Sequence, residues 1–234
     1  QYEQAKDVDN DGLDDILVGA PYATAYAGQT YLILGARLSS TTEIDLGDAD
    51  YVFVGEHSGD YAGISVSNAG DIDGDGRGDI LVGAMGNDDG ANYAGKTYLI
   101  LGASLGISPE VDLSDADYSF VGESGDYAGR AVSSAGDVDG DGLDDLLVGA
   151  PYNDDGGSTA GKVYLILGAS LGSTAEIDLA DADHSFVGEN ALDYVGFSVS
   201  SAGDVDGDGL DDLLVASPYN DDAGSGAGKA YLIL

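Results

Sequence analysis

The sequence predicts an all-β fold: a β-propeller, or a propeller segment, of four-stranded antiparallel blades. Three observations predict it. One unit recurs four times, as "DVDNDGLDDILVGAPY" from Asp7, "DIDGDGRGDILVGAMG" from Asp71, "DVDGDGLDDLLVGAPY" from Asp137 and "DVDGDGLDDLLVASPY" from Asp204. Each unit carries short runs rich in Val, Ile, Leu, Tyr and Phe, bounded by Gly, Asp, Asn and Ser, which read as strands. No segment sustains a 3.6-residue period with caps, so helices should be scarce. Four strands per 64–67 residues fits a propeller blade better than a β-solenoid, whose coils are much shorter.

The strands follow in order. "SVSSAG" is the first and "DLLVGAP" the second. "VYLILG" is the third; its equivalents begin at Gly28, Gly95, Gly161 and Gly228. "YSFVGE" is the fourth and occurs only three times, in the markers from Asp48, Asp115 and Asp181. The runs "DLLVGA" and "YLIL" are apolar on both faces, as strands between neighbouring blades should be. The acidic, variable segments "ARLSSTTEIDLGDAD", "ASLGISPEVDLSDAD" and "ASLGSTAEIDLADAD" join third strand to fourth and read as outer-rim loops. The whole is one region, 1–234, with repeats at about 1–56, 57–123, 124–189 and 190–234.

The first and last blades are expected to be incomplete. "QYEQAKD" stands where other repeats have a full "SVSSAGD" strand, and no "SFVGE" strand follows Leu234. An unprotected apolar strand edge is something natural proteins avoid. The expectation is a piece of a longer chain; strand addition by another molecule ranks second and a closed four-bladed ring third.

Between first and second strands lies the chemistry. In Asp137-Val138-Asp139-Gly140-Asp141-Gly142-Leu143-Asp144-Asp145, carboxylates at positions 1, 3, 5 and 9 of a tight loop can converge on one point. The position-7 carbonyl can complete the set, and Gly142 at position 6 permits the positive φ that the turn needs. The ligand sets expected are Asp7, Asp9, Asp11, Leu13 and Asp15; Asp71, Asp73, Asp75, Arg77 and Asp79; Asp137, Asp139, Asp141, Leu143 and Asp145; and Asp204, Asp206, Asp208, Leu210 and Asp212. Hard oxygens in flexible number suit Ca2+, about four ions, one per loop. Mg2+ demands a stricter octahedron, and transition metals call for His or Cys. His57 and His184 lie outside all four loops. An EF-hand needs Glu at position 12; Val18, Val82, Val148 and Val215 stand there. The plain alternative, a solvated acidic turn, is disfavoured by four in-register copies. Arg77-Gly78-Asp79 also matches the tripeptide that integrin receptors grip, but Asp79 is loop position 9 and Arg77 is position 7, so the match reads as a by-product of the loop.

Composition narrows the function. With 44 acidic residues against 7 basic ones the formal charge is −37. That excludes a nucleic-acid partner, whose phosphates need a basic surface, and anionic membrane surfaces. No apolar run reaches membrane-spanning length, so no membrane insertion is expected. Cysteine is absent, which removes disulfides, thiol catalysis and Cys-type zinc sites. No nucleophile–base pair or phosphate loop appears. Glu56, Glu123 and Glu189 recur after each fourth strand, and Tyr31, Tyr98, Tyr164 and Tyr231 recur in every unit, so structural roles are expected; His184 reads as a strand-surface residue. Asn87, Asn153 and Asn220, in repeated "NDD", read as turn residues with solvated carboxylates.

The segments "VGFSVSSAGDVDGDGLDDLLVASP" and "AGRAVSSAGDVDGDGLDDLLVGAP" resemble the FG-GAP repeat of integrin α-subunit propellers and bacterial surface proteins. Gly-Ala-Pro stands intact at Gly19-Ala20-Pro21 and Gly149-Ala150-Pro151, while Phe-Gly becomes Ala-Gly or Val-Gly at Gly63, Gly129 and Gly196. The resemblance covers nearly the whole chain. It implies a propeller of about seven blades, where this chain has four repeats. It also implies calcium loops on one face and a protein or carbohydrate ligand on the other, here carrying "GAPYNDDGGSTAG" and "VGESGDYAG". The expected function is a calcium-binding, non-catalytic adhesion or assembly module, extracellular or on a cell surface. Its partners would include the rest of a longer chain or further copies of itself. The alternatives are an accessory propeller of a larger secreted enzyme, and a fibre-forming structural protein completed by strand exchange.

Overall fold

Each second strand is apolar on both faces because a blade is packed on each side of it. The structure, a computed structural model, describes residues 2–38, 43–106 and 108–234. Residues 39–42 and 107, within the first two linking segments, lie outside the described residues. Blade 1 contains β1 (Tyr2–Ala5), β2 (Asp15–Ala20), β3 (Gln29–Ile33) and β4 (Tyr51–Val54). Blade 2 contains β5 (Ser65–Gly70), β6 (Asp79–Ala84), β7 (Lys96–Ile100) and, beyond the short β8 (Glu110–Asp112), β9 (Tyr118–Val121). Blade 3 repeats this with β10 (Ala131–Gly136), β11 (Asp145–Ala150), β12 (Lys162–Ile166), the short β13 (Glu176–Asp178) and β14 (His184–Val187). Blade 4 has β15 (Ser198–Gly203), β16 (Asp212–Ser217) and β17 (Lys229–Ile233). Within each blade the successive long strands are antiparallel, and the four sheets do not close into a ring.

Two details refine the sequence reading. A first strand does form from "YEQA", but it has four residues where the other blades have six. The linking segments are not simply rim loops. β8 leaves blade 2 to pair parallel with β4 of blade 1, Phe53 opposite Val111. β13 of blade 3 pairs likewise with β9 of blade 2, Phe120 opposite Ile177. The second and third links thus cover the outer edge of the preceding blade, which removes an exposed row of backbone donors and acceptors. Asp45, Asp112 and Asp178 turn the chain back by accepting the N–H two residues on, opening single 3-10 turns.

The core is a stack of interblade layers. Leu17, Leu32 and Phe53 of blade 1 meet Ile80, Val82, Tyr98 and Ile100 of blade 2. Leu81, Leu99 and Phe120, on the other face of blade 2, meet Leu146, Val148, Tyr164 and Ile166. Leu147, Val163 and Leu165 meet Val199, Leu213 and Val215. Period-two alternation therefore sends adjacent residues of one strand into two different cores. Tyr98 and Tyr164 are fully buried, so the recurrent tyrosines of the third strand pack, as expected. Blades approach closely where Gly83 faces Gly129: a Cβ on Gly83 would meet the Gly129 carbonyl.

Candidate metal centres

The four acidic loops join first strand to second at one end of each blade. Position 6 takes φ of +91°, +86°, +92° and +96° at Gly12, Gly76, Gly142 and Gly209, the left-handed conformation that glycine adopts without strain. This turn folds positions 1, 3 and 9 together. Carboxylate oxygens of Asp7, Asp9 and Asp15 lie within 4.8 Å of one another, as do those of Asp71, Asp73 and Asp79, of Asp137, Asp139 and Asp145, and of Asp204, Asp206 and Asp212.

The remaining predicted ligands have other visible roles. The position-5 carboxylates of Asp11, Asp75, Asp141 and Asp208 accept the N–H of Leu13, Arg77, Leu143 and Leu210 at 2.8–2.9 Å, closing an Asx turn. They are outside the three-carboxylate groups, and positions 5 and 7 stay proposed ligands. The Arg77 side chain does not stand free. Its Nη1 donates to the Asp9 carbonyl of the neighbouring loop at 3.4 Å, and its Nε is 4.0 Å from Asp75.

Position 9 anchors the site. Asp79 is 1% exposed and accepts Ile72 N–H and Gly102 N–H, both at 2.8 Å. Asp145 does the same for Val138 and Gly168, and Asp15 for Val8 and Gly35. One carboxylate thus ties the loop to the exit of the third strand. Burial pushes the Asp79 carboxyl up to about 7 and the Asp145 carboxyl to about 6, with neighbouring loop carboxylates adding to the shift. Asp15 is raised for the same reasons, and Asp9 is raised by burial and by Asp11 and Asp7. Among the described residues no lysine or arginine pairs with any position 1, 3 or 9 carboxylate. The buried Oδ1 of Asp71 has no hydrogen-bond partner. Unneutralised hard oxygens converging with an unspent acceptor fit Ca2+.

The loops are also linked to each other. The position-8 N–H donates to the position-1 carbonyl of the preceding loop: Gly78 to Asp7, Asp144 to Asp71 and Asp211 to Asp137. Where position 8 is Asp, its carboxylate accepts the position-1 N–H in return, Asp71 N to Asp144 Oδ2 at 2.7 Å and Asp137 N to Asp211 Oδ2 at 3.1 Å.

The other end of the blades is built differently. Asn87, Asn153 and Asn220 are buried, and their amide nitrogens donate to Asp60, Asp126 and Asp193 at 2.9–3.0 Å. The "NDD" asparagines are turn residues, as expected, whose Oδ1 atoms accept the N–H of Asp89, Asp155 and Asp222 at 3.0–3.1 Å, and they are also buried staples. Lys96 holds Glu56 and Asp89, both at 2.9 Å, Lys162 holds Asp155 at 2.8 Å, and Lys229 holds Glu189 and Asp222 at 2.9 Å. The two carboxylates of the Glu56, His57 and Asp89 group thus already share one lysine.

The sequence reading missed an aromatic row at this end. Tyr93, Tyr127, Tyr152, Tyr194 and Tyr219 touch in succession with ring centroids 4.8–5.4 Å apart, and Tyr22, Tyr26 and Tyr61 form a second group. Tyr61, Tyr127 and Tyr194 share one register in the repeat and all take positive φ, an outlying conformation for a bulky residue. That shared register was the available signal. Tyr152, Tyr194 and Tyr219 line an open groove of about 430 Å³ with Leu192, Phe197 and Asp221.

Comparisons with known proteins follow the same repeats. The FG-GAP repeat family matches residues 5–33, 62–100, 128–166 and 195–233. The chain is similar to integrin alpha pat-2 of Caenorhabditis elegans, at 31% identity over 90% of this chain and 17% of that protein. It is similar to integrin alpha-PS5 of Drosophila melanogaster, at 34% identity over 72% of this chain and 16% of that protein. It is also similar to phosphatidylinositol-glycan-specific phospholipase D of Rattus norvegicus, at 36% identity over 64% of this chain and 18% of that protein. The chain spans less than a fifth of the length of these relatives. Four matched repeats, one for each blade and each spanning its acidic loop, place this chain in the FG-GAP repeat family.

Proposed function

We propose that the chain is a calcium-stabilised, non-catalytic propeller module for adhesion or assembly, working outside the cell or on its surface. The observation that carries this reading is the fourfold convergence of three carboxylates within 4.8 Å, with no cation of the described chain on them. Two unit charges about 4 Å apart repel by roughly 4 kcal/mol at an effective dielectric near 20. Each loop gathers more than two, so Ca2+ would supply the missing positive charge and fix the loop's shape. Positions 1, 3, 5 and 9 would hold it with the position-7 carbonyl.

The ligand surface would be the opposite end of the blades, where the tyrosine row lies. Exposed aromatics on a rigid strand scaffold suit protein or carbohydrate contacts. Integrin α-subunits among the relatives support an adhesion role and a surface location. No helix of the described residues is long and apolar enough to cross a membrane. A second reading, an accessory propeller in a larger secreted enzyme, is favoured by the phospholipase D relative. The test is calorimetric titration of chelated protein with calcium, beside a phosphodiesterase assay of the full-length gene product. Four calcium equivalents without turnover support the module; turnover by the longer chain favours the second reading, and no saturable calcium uptake overturns the first.

A further inference from the structure

Six of the seven basic side chains are neutralised by the chain itself, in ion pairs of Lys6, Arg37, Arg77, Lys96, Lys162 and Lys229. Arg130 is the exception. Among the described residues no carboxylate lies within ion-pair distance of its guanidinium, and none of the guanidinium N–H groups meets an acceptor. With 44 acidic residues available, a half-buried guanidinium left unpaired is conspicuous. It also breaks the repeat: Ile64 and Phe197 occupy the same register in the adjacent blades.

The surroundings are shaped for an anion. Arg130 lies just before β10, and its guanidinium carbon is 4.4 Å from the centre of the Phe197 ring. That contact covers one face of the guanidinium and leaves its in-plane N–H groups unspent. Arg130 lines a cavity of about 170 Å³ between the first strands of blades 2, 3 and 4, with Ser65, Ser133, Ser198 and Ser200. Arg130 is the one charged residue in that lining. The Ser65 hydroxyl oxygen already accepts Val132 N–H at 3.1 Å, so its own O–H is left to donate.

We propose that this pocket binds a carboxylate. A planar fork of donors matches a planar carboxylate in bidentate fashion. The cavity is small enough to select a side-chain-sized group. The strongly negative chain repels a multiply charged phosphate or sulfate more than a monoanion. The site stands on Arg130 and its neighbours and is independent of the calcium reading. The carboxylate comes either from an acidic side chain of a protein partner or from a free small acid.

The test is NMR of the Arg130 Nε–H signal and of the Ser65, Ala131 and Val132 backbone N–H signals that line the same cavity, in calcium-containing buffer, during titration with sodium acetate against sodium chloride at equal ionic strength. The expected result is a saturable shift with acetate alone. In the backbone signals, Arg130→Gln should abolish it with unchanged melting temperature, and Arg130→Lys should weaken it roughly tenfold through loss of the fork. A terminally blocked Glu peptide that saturates at tenfold lower concentration than acetate, with its Gln counterpart inert, assigns the site to a protein partner. Equal values for peptide and acetate assign it to a free small acid. Identical drift with acetate and chloride overturns the proposal on the wild-type protein alone, as does an undiminished acetate response in Arg130→Gln.

Discussion

The two ends of each blade handle negative charge in opposite ways. At the tyrosine end, Asp60, Asp126 and Asp193 each receive a buried asparagine amide, and Lys96, Lys162 and Lys229 each pair with one or two further acids. At the loop end, three carboxylates converge in each blade with backbone N–H donors and no cation of the described chain. Both ends bury aspartate: Asp126 is 4% exposed and Asp145 fully buried. Burial raises the carboxyls of both. The difference is the source of the compensating groups. One end carries its own; the other, in the proposed function, would take them from solution. The contrast explains how a chain of charge −37 can keep a packed core.

Chelation should separate the two ends most strongly. A site filled at a hundredfold excess over its Kd stabilises the fold by about 2.7 kcal/mol. Removing calcium from four sites should lower the melting temperature by roughly 20 °C or more, as read by differential scanning calorimetry. An unchanged melting curve breaks the comparison.

Next comes Asp145→Ala. It removes a proposed ligand and strands the Val138 and Gly168 N–H groups. The expected cost is about 3–5 kcal/mol with calcium present, and stoichiometry should fall from four to three. Four ions bound by the variant would remove Asp145 from the ligand set.

Asn153→Ala probes the other end. It strips the amide donor from buried Asp126 and should cost about 1–3 kcal/mol. That cost should be the same in calcium and in chelator, since the staple shares no group with the loops. A calcium-dependent cost would show that the ends are coupled.

The smallest effect expected is that of Asp211→Ala. Asp211 caps the N–H of Asp137 in the preceding loop. Loss of the cap should weaken calcium at the Asp137 loop a few-fold, within the roughly 1 kcal/mol of a typical hydrogen bond, and leave the Asp7 loop untouched. Equal weakening at every loop in a site-resolved titration would argue against local capping.

Much of this was legible in the residues. The strands follow from apolar runs between glycines, and the loops from aspartates at fixed spacing around Gly12, Gly76, Gly142 and Gly209. What stayed hidden depends on contacts between repeats. Glu110–Asp112 is a three-residue strand, too short for its one apolar residue, Val111, to establish a period; its pairing with blade 1 defines it. Asp144 reads as one more loop acid until the fold sets it against Asp71, 73 residues away. The tyrosine row draws on several segments, and Tyr93 sits in a variable loop. Arg130 was hidden because its meaning lies in the partner that it lacks.

The central claim is that each acidic loop is completed by one divalent ion. The most direct measurement is an anomalous difference map from crystals grown with calcium. The account predicts four peaks, each with carboxylate oxygens of positions 1, 3 and 9 at about 2.3–2.6 Å. A map with no peak at these loops, and with their carboxylates turned to solvent, would contradict it.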